Sequence, residues 1–108
     1  MSFGRLSVSN PLANTDTVVY TAPDKCFYSE VTLNILNTDT TDITIQVAVS
    51  TDDTPDSNEY IEKGAIIPAN GGILERTNLM LSPGERIVVR STLGTTIVRV
   101  SGKEVTSV

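Results

Sequence analysis

The chain has 108 residues and a mass of 11.6 kDa, and its 8 basic and 13 acidic side chains give a net charge of −5. This acidic balance argues against non-specific binding to nucleic acid or to an anionic membrane, because both need a basic face. The lack of histidine removes the usual general base and the commonest metal ligand, and a single cysteine excludes an intrachain disulfide and a cysteine-based zinc site. No cofactor is expected.

Valine, isoleucine and threonine make up 36 of the 108 residues. Such β-branched side chains fit a pleated, half-buried surface, so the composition favours an all-β fold. The N-terminus lacks the basic start and apolar run of a signal peptide, and no apolar stretch approaches the roughly 20 residues that span a bilayer. We therefore expect synthesis in a cytoplasm and no membrane partner.

Short strands alternate with turns along the whole chain. The clearest period of two lies at Ile43, Ile45, Val47 and Val49, whose neighbours are mostly polar. A bulge is predicted at Lys63-Gly64, and a hairpin connection is predicted at residues 37–42. A type II turn is predicted at Ser82-Pro83-Gly84-Glu85. The predicted strands cover residues 6–9, 17–21, 26–36, 43–49, 60–67, 73–81, 86–91 and 95–101.

About eight short strands without a helical period predict a sandwich or a barrel. Of the two, we expect a two-sheet antiparallel β-sandwich, of jelly-roll or immunoglobulin-like type. Residues 11–108 are expected to form this single domain. Residues 1–10 are expected to form an N-terminal arm that becomes ordered on a neighbouring chain, because Phe3, Leu6 and Val8 are apolar residues in a segment too short to bury them alone. The alternative is that Leu6 and Val8 add an edge strand to their own sandwich.

The acidic residues have both a catalytic and a structural interpretation. The 50–59 loop could offer calcium ligands from Asp52, Asp53, Asp56 and Glu59, but it lacks the EF-hand spacing, so a solvated loop is the better interpretation. Spacing alone leaves open a glycosidase pair, although the chain has no Trp and too few aromatic residues to bind sugar rings. We therefore expect no enzyme. The carboxylates considered for such a pair are Glu30, Glu62, Glu75 and Glu104.

The basic residues of the C-terminal half are candidates for an interface. Arg76, Arg86 and Arg90, with Arg99 nearby, could pair with acids across a subunit boundary, because arginine is favoured in interface ion pairs. Intrachain surface pairs of little energetic value are the open alternative. Cys26 beside Phe27 is expected to pack as a small hydrophobic residue.

One longer pattern, spread over residues 17–102, resembles a known group of proteins. It begins with Tyr20-Thr21-Ala22-Pro23 and Val31 to Asn37. It continues through Val47-Ala48-Val49-Ser50, Thr54-Pro55, Tyr60-Ile61-Glu62, Ile67-Pro68-Ala69-Asn70-Gly71, Leu74-Glu75-Arg76-Thr77, Leu81-Ser82-Pro83-Gly84-Glu85 and Val88-Val89-Arg90. The pattern is similar to small virion structural proteins of tailed bacteriophages and to terminal modules of phage tail fibres, particularly from marine phages.

The resemblance implies a β-sandwich that serves assembly in the virion and supplies no catalytic residue. The function it implies first is a capsid decoration or cement protein bound to the major capsid protein. Alternatives are a tail- or fibre-associated protein, or a receptor- or carbohydrate-binding module at a fibre tip. A homo-oligomer is expected, with a trimer ahead of a dimer. The expected interface residues are Phe3, Leu6, Val8, Arg76, Arg86 and Arg90.

Overall fold

The computed structural model describes residues 2–106, with side chains from residue 4 onward, and it is all-β. Eight strands were predicted, and eight are observed in the described residues. The first begins four residues earlier and the last ends four residues later than predicted, and the other ends differ by at most two residues. Cys26 lies outside its predicted strand, because its N–H donates to the Pro23 carbonyl in a turn. The strands are β1 (Ser2–Ser9), β2 (Thr17–Thr21), β3 (Tyr28–Asn37), β4 (Ile43–Ser50), β5 (Tyr60–Ile67), β6 (Ile73–Leu81), β7 (Arg86–Ser91) and β8 (Thr96–Val105).

The strands form two antiparallel four-stranded sheets, which confirms the predicted sandwich. The first sheet has the order β1-β8-β3-β6 and the second has the order β2-β7-β4-β5. Only β4 and β5 are neighbours both in sequence and in a sheet, so the other connections between described strands cross from one sheet to the other. This connectivity is that of a jelly roll, which decides between the two types of sandwich predicted.

The two sheets enclose an apolar core between them. Alternate residues of β3 and β4 point inwards, as the period of two predicts, and Leu33, Ile35, Ile43 and Ile45 are completely buried. The predicted bulge is present, since pairing with β4 shifts around Gly64, whose φ is 89°. The predicted type II turn is also present, because Gly84 has a φ of 86° and the Glu85 N–H donates to the Ser82 carbonyl.

Residues 37–42 do not form the predicted hairpin. They join β3 of the first sheet to β4 of the second, and the connection from β5 to β6 crosses back to the first sheet beside them. The buried Asn37 holds both crossings: its side-chain amide donates to the carbonyls of Thr41, Ile67 and Pro68 at 2.9, 3.1 and 3.1 Å. Polar turn residues are compatible with a hairpin or a crossing, so the sequence pattern could not distinguish the two.

The N-terminal segment differs from the arm expected at residues 1–10. Residues 2–9 form β1, which pairs with β8 of the same chain at the edge of the first sheet, with Ser7 opposite Val100 and Val8 opposite Arg99. The Ser7 hydroxyl donates to the Val19 carbonyl at 2.6 Å, and Leu6 packs against the core. The structure therefore has the alternative arrangement, an edge strand, because β8 is long enough to pair with the segment and the core offers Leu6 an apolar contact.

We predict that Gly102→Ala unfolds or severely destabilises the protein. Gly102 has a φ of 147°, and a Cβ there would lie 2.1 Å from the Glu30 carbonyl oxygen and 2.7 Å from the Val31 Cα. A clash with the backbone of a central strand should cost about 3 kcal/mol or more, measured by urea unfolding. The control is Gly94→Ala, where the nearest atom is 3.8 Å away. Equal stability of the two variants would contradict the prediction.

We also predict that Asn37→Asp lowers the free energy of unfolding by about 3 kcal/mol at neutral pH, because a carboxylate oxygen would replace the amide nitrogen that faces three carbonyls. Chemical denaturation measures the loss. The matched control is Asn58→Asp, which makes the same change at an exposed position and should be neutral. A neutral Asn37→Asp would show that the crossings do not depend on this amide.

Candidate interface surfaces

The three apolar residues of β1 that were expected to contact a neighbouring chain do not share one environment. Val8 is 50 % exposed on the outer face of the first sheet, opposite Arg99 in the register of β8. Leu6 packs against the core and is half-buried. The side chain of Phe3 lies outside the described residues. Among these side chains, only Val8 is shown on a free surface.

Each of the three candidate arginines contacts a carboxylate of its own chain. The Nη1 atom of Arg76 lies 3.3 Å from Glu62, that of Arg86 lies 2.6 Å from Asp53, and that of Arg90 lies 3.7 Å from Asp16. These are the intrachain pairs of the alternative interpretation. All three arginine side chains remain at least 31 % exposed, so each pair contributes little stability in water. Use of these arginines in an interface stays a prediction.

Arg76 and Glu62 have a particular place in the fold. Arg76 lies on β6 and Glu62 on β5, and these two strands are the edges of different sheets at the same side of the sandwich. In the strand register, Arg76 lies opposite the buried Leu33 and Glu62 lies opposite the buried Val47. Both charged residues are therefore on the inward-facing sides of their strands. Their ion pair therefore closes the gap between the two sheets with a charged contact that is only partly exposed.

The acidic loop uses its carboxylates for its own structure. Glu59 Oε1 accepts hydrogen bonds from the Asp56 N–H and the Ser50 hydroxyl, both at 2.8 Å. These two bonds, the backbone one first, lower the pKa of Glu59 below its ordinary value. Asp53 is occupied by Arg86. No group of three or more potential metal ligands occurs in the searched residues 2–106.

The carboxylates considered for catalysis do not form a pair. Glu30 lies 3.6 Å from Lys103, and Glu62 contacts Arg76. Glu104 accepts a hydrogen bond from the Tyr20 hydroxyl, which also lies 3.0 Å from the Ser29 hydroxyl in the space between the sheets. Burial, and then the bond to Glu104, raise the pKa of Tyr20 far above its usual range. Glu75 is exposed and is considered below.

Cys26 is 4 % exposed, as expected for a small hydrophobic residue that packs beside the core. Its neighbour Phe27 is 55 % exposed.

The outer face of the first sheet carries a surface that the sequence analysis missed. Leu36 of β3 pairs with Ile73 of β6 on one side and with Ile97 of β8 on the other, which forms an apolar row across three strands. In the next outward-facing row, Asn34 lies between Glu75 and Arg99. These six residues line one shallow depression. We call it the outer depression.

A signal for this surface was present in the sequence. Leu36 follows Ile35, and Ile97 precedes Val98, so each places an apolar side chain on the otherwise polar side of its strand. The rows become visible only when β3 is known to pair with both β6 and β8. That pairing is between strands distant in sequence, which the alternation cannot reveal.

Comparison with protein-family models, with curated proteins and with solved structures found no match for this chain. In the described part of the chain, no helix is long and apolar enough to cross a membrane.

We predict that Glu59→Gln reduces the acid sensitivity of the protein. The folded-state pKa of Glu59 is below its ordinary value of 4.5, so its charge stabilises the fold above that pH and this contribution is lost as the pH falls through the folded pKa. The melting temperature of the variant should be lower than that of wild type near pH 7, and the difference should shrink as the pH falls through the folded-state pKa of Glu59.

The matched control is Asp56→Asn, which removes the same charge from the same loop at an exposed side chain. It should follow the wild-type pH profile. A constant offset between Glu59→Gln and wild type at every pH would show that the carboxylate charge is not what stabilises the loop.

Proposed function

We propose that the protein is a non-enzymatic structural component of a bacteriophage virion, and that it acts as a capsid decoration or cement protein. The observation that carries the proposal is the jelly-roll strand order in a chain whose sequence resembles phage virion proteins. Jelly rolls occur in viral capsid proteins, and also in lectin domains and cupins, so the fold supports the proposal by analogy. The protein is synthesised in the bacterial cytoplasm and resides in the virion.

The way the sandwich is built suits such a role. The crossings at one end are held by Asn37, and the 51–59 loop is held by Glu59 and by Arg86. The chain therefore presents broad sheet faces whose shape does not depend on a partner. Contacts that are weak singly become strong when a rigid part occupies many equivalent positions on a symmetric particle. The partners are the major capsid protein and further copies of this chain.

A second candidate function is supported by the outer depression. A ligand-binding module at a fibre tip needs a concave surface with apolar walls and a few polar groups, and Asn34, Glu75 and Arg99 beside an apolar row have this character. The scarcity of aromatic residues weighs against carbohydrate as the ligand. Signals on an array of host-cell glycans, lost in Asn34→Ala, would favour this candidate over the capsid role.

We predict that the protein copurifies with intact phage particles. Particles purified on a density gradient are analysed by mass spectrometry, and the amount of this chain is compared with that of the major capsid protein. A decoration protein should be present in a comparable copy number, whereas a tail or fibre component should be far less abundant. Absence of the chain from purified particles would contradict both assignments.

We further predict that the protein stabilises the particle. Capsids that lack it should release their genome at a lower temperature, and addition of the purified protein should restore the wild-type release temperature. An equal amount of an unrelated acidic protein of similar mass is the control, because it tests for a non-specific effect of charge. Unchanged release with and without the protein would contradict a cement role.

A further inference from the structure

The outer depression contains apolar side chains that the chain itself does not cover. In its apolar row, Ile73 is 63 % exposed and Ile97 is 37 % exposed, with Leu36 half-buried between them. Three large aliphatic side chains at paired positions of neighbouring strands form a continuous patch, unlike a single exposed hydrophobic residue. Such a patch on the face of a sheet is a candidate surface for a partner.

The polar row beside it has an unusual distribution of charge. Glu75 and Arg99 lie on opposite sides of Asn34, two strand spacings apart, which is about 9.6 Å. Within the described part of the chain, four ion pairs form, and neither Glu75 nor Arg99 belongs to one. This row therefore carries one acid and one base at equal distances from β3.

We infer that the outer depression binds a second copy of this chain, through a two-fold axis that lies in the interface and runs along β3. Such an axis stacks the two first sheets face to face and exchanges the two sides of β3. Ile73 of each copy then faces Ile97 of the other, and Leu36 faces Leu36. Glu75 of each copy faces Arg99 of the other. Two ion pairs therefore form, one on each side of the paired Asn34 amides.

The choice of a second copy follows from this self-complementarity. A two-fold interface uses the same patch on both subunits, so each group must meet its complement after the rotation. The apolar row meets this condition because its two outer members are both isoleucine, and the polar row meets it because its outer charges are opposite. The side-chain amide of Asn34 has both a donor and an acceptor, so it can also bond to its own copy.

The size of the face sets the expected affinity. The strands β6, β3 and β8 at roughly 4.8 Å spacing, with about nine residues of 3.3 Å each, present on the order of 400 Å² per partner. A standard interface buries about 800 Å² on each side. The face is about half the standard size, so we expect a weak dimer that forms reversibly as the concentration rises.

The other charges on the same face do not oppose this arrangement. Lys103 and Glu30 lie further along β8 and β3, 3.6 Å from each other, so each offsets the charge of the other within one copy. The edge strand β1, which carries Arg5, lies beyond β8 and outside the three strands β6, β3 and β8 that form the interface. The trimer expected from the sequence was based on an arm, and β1 is instead paired with its own sheet, so a two-fold pair has the stronger argument.

The test exchanges the charges, and it applies whether or not the protein belongs to a virion. Sedimentation velocity up to about 500 µM measures the dimer of wild type, of Glu75→Arg, of Arg99→Glu and of the double variant. Each single variant places like charges opposite each other twice, so its dimer should weaken by about tenfold or more. The double variant restores both pairs and should dimerise like wild type. An equimolar mixture of the two single variants should form heterodimers.

Apolar variants provide an independent readout. Ile73→Ser should weaken the dimer about tenfold, whereas Ile66→Ser, at an isoleucine 65 % exposed on the second sheet, should leave it unchanged. Far-ultraviolet circular dichroism checks that every variant is folded, which is expected because the changed side chains are exposed.

Three results would overturn the inference. A wild-type protein that remains monomeric up to about 500 µM has no such interface. An oligomer that is insensitive to the charge and apolar variants uses another surface. Single variants that weaken the dimer without recovery in the double variant or the mixture would show that Glu75 and Arg99 do not face each other.

Discussion

Six of the seven connections between the described strands carry the chain from one sheet to the other, and every crossing removes backbone groups from the ladder of hydrogen bonds. Those groups need other partners where they are buried. The side chain of Asn37 supplies three such partners at once, and its own backbone bonds to Gly71 and Gly72 across the second crossing. The two crossings at this end of the sandwich thus have a buried amide between them, in addition to the aliphatic core between the sheets.

The local features of the sequence predict local structure well. The alternation in β4 places Ile43, Ile45 and Val47 inside, and the glycines at 64 and 84 lie where a bulge and a type II turn need a positive φ. Each of these outcomes is decided by neighbours a few residues apart. The same information predicts an all-β fold, because eight strands with one apolar face each bury those faces between two packed sheets or inside a barrel.

The alternation of residues along a strand shows which side chains are buried, but it does not show which strands lie next to each other. The hairpin expected at residues 37–42 and the arm expected at 1–10 are both errors about which strand lies next to which. The candidate surface shows the same limit. Arg76, Arg86 and Arg90 were the interface residues expected from the sequence, and each has an ion-pair partner in its own chain. Arg99 becomes a candidate interface residue only through its position opposite Asn34 in the sheet.

Folding and association use different parts of this molecule. The core is complete within one chain, since Leu33, Ile35, Val98 and Val100 of the first sheet are fully buried without a partner. The outward-facing residues of the same strands can therefore change with little effect on the core, because alternate side chains along a strand point to opposite faces. The single chain thus buries its own core, and the dimer we propose would use only the outward-facing side chains. Association through exposed charges such as Glu75 and Arg99 would respond to concentration and to salt, while the fold that presents them remains unchanged.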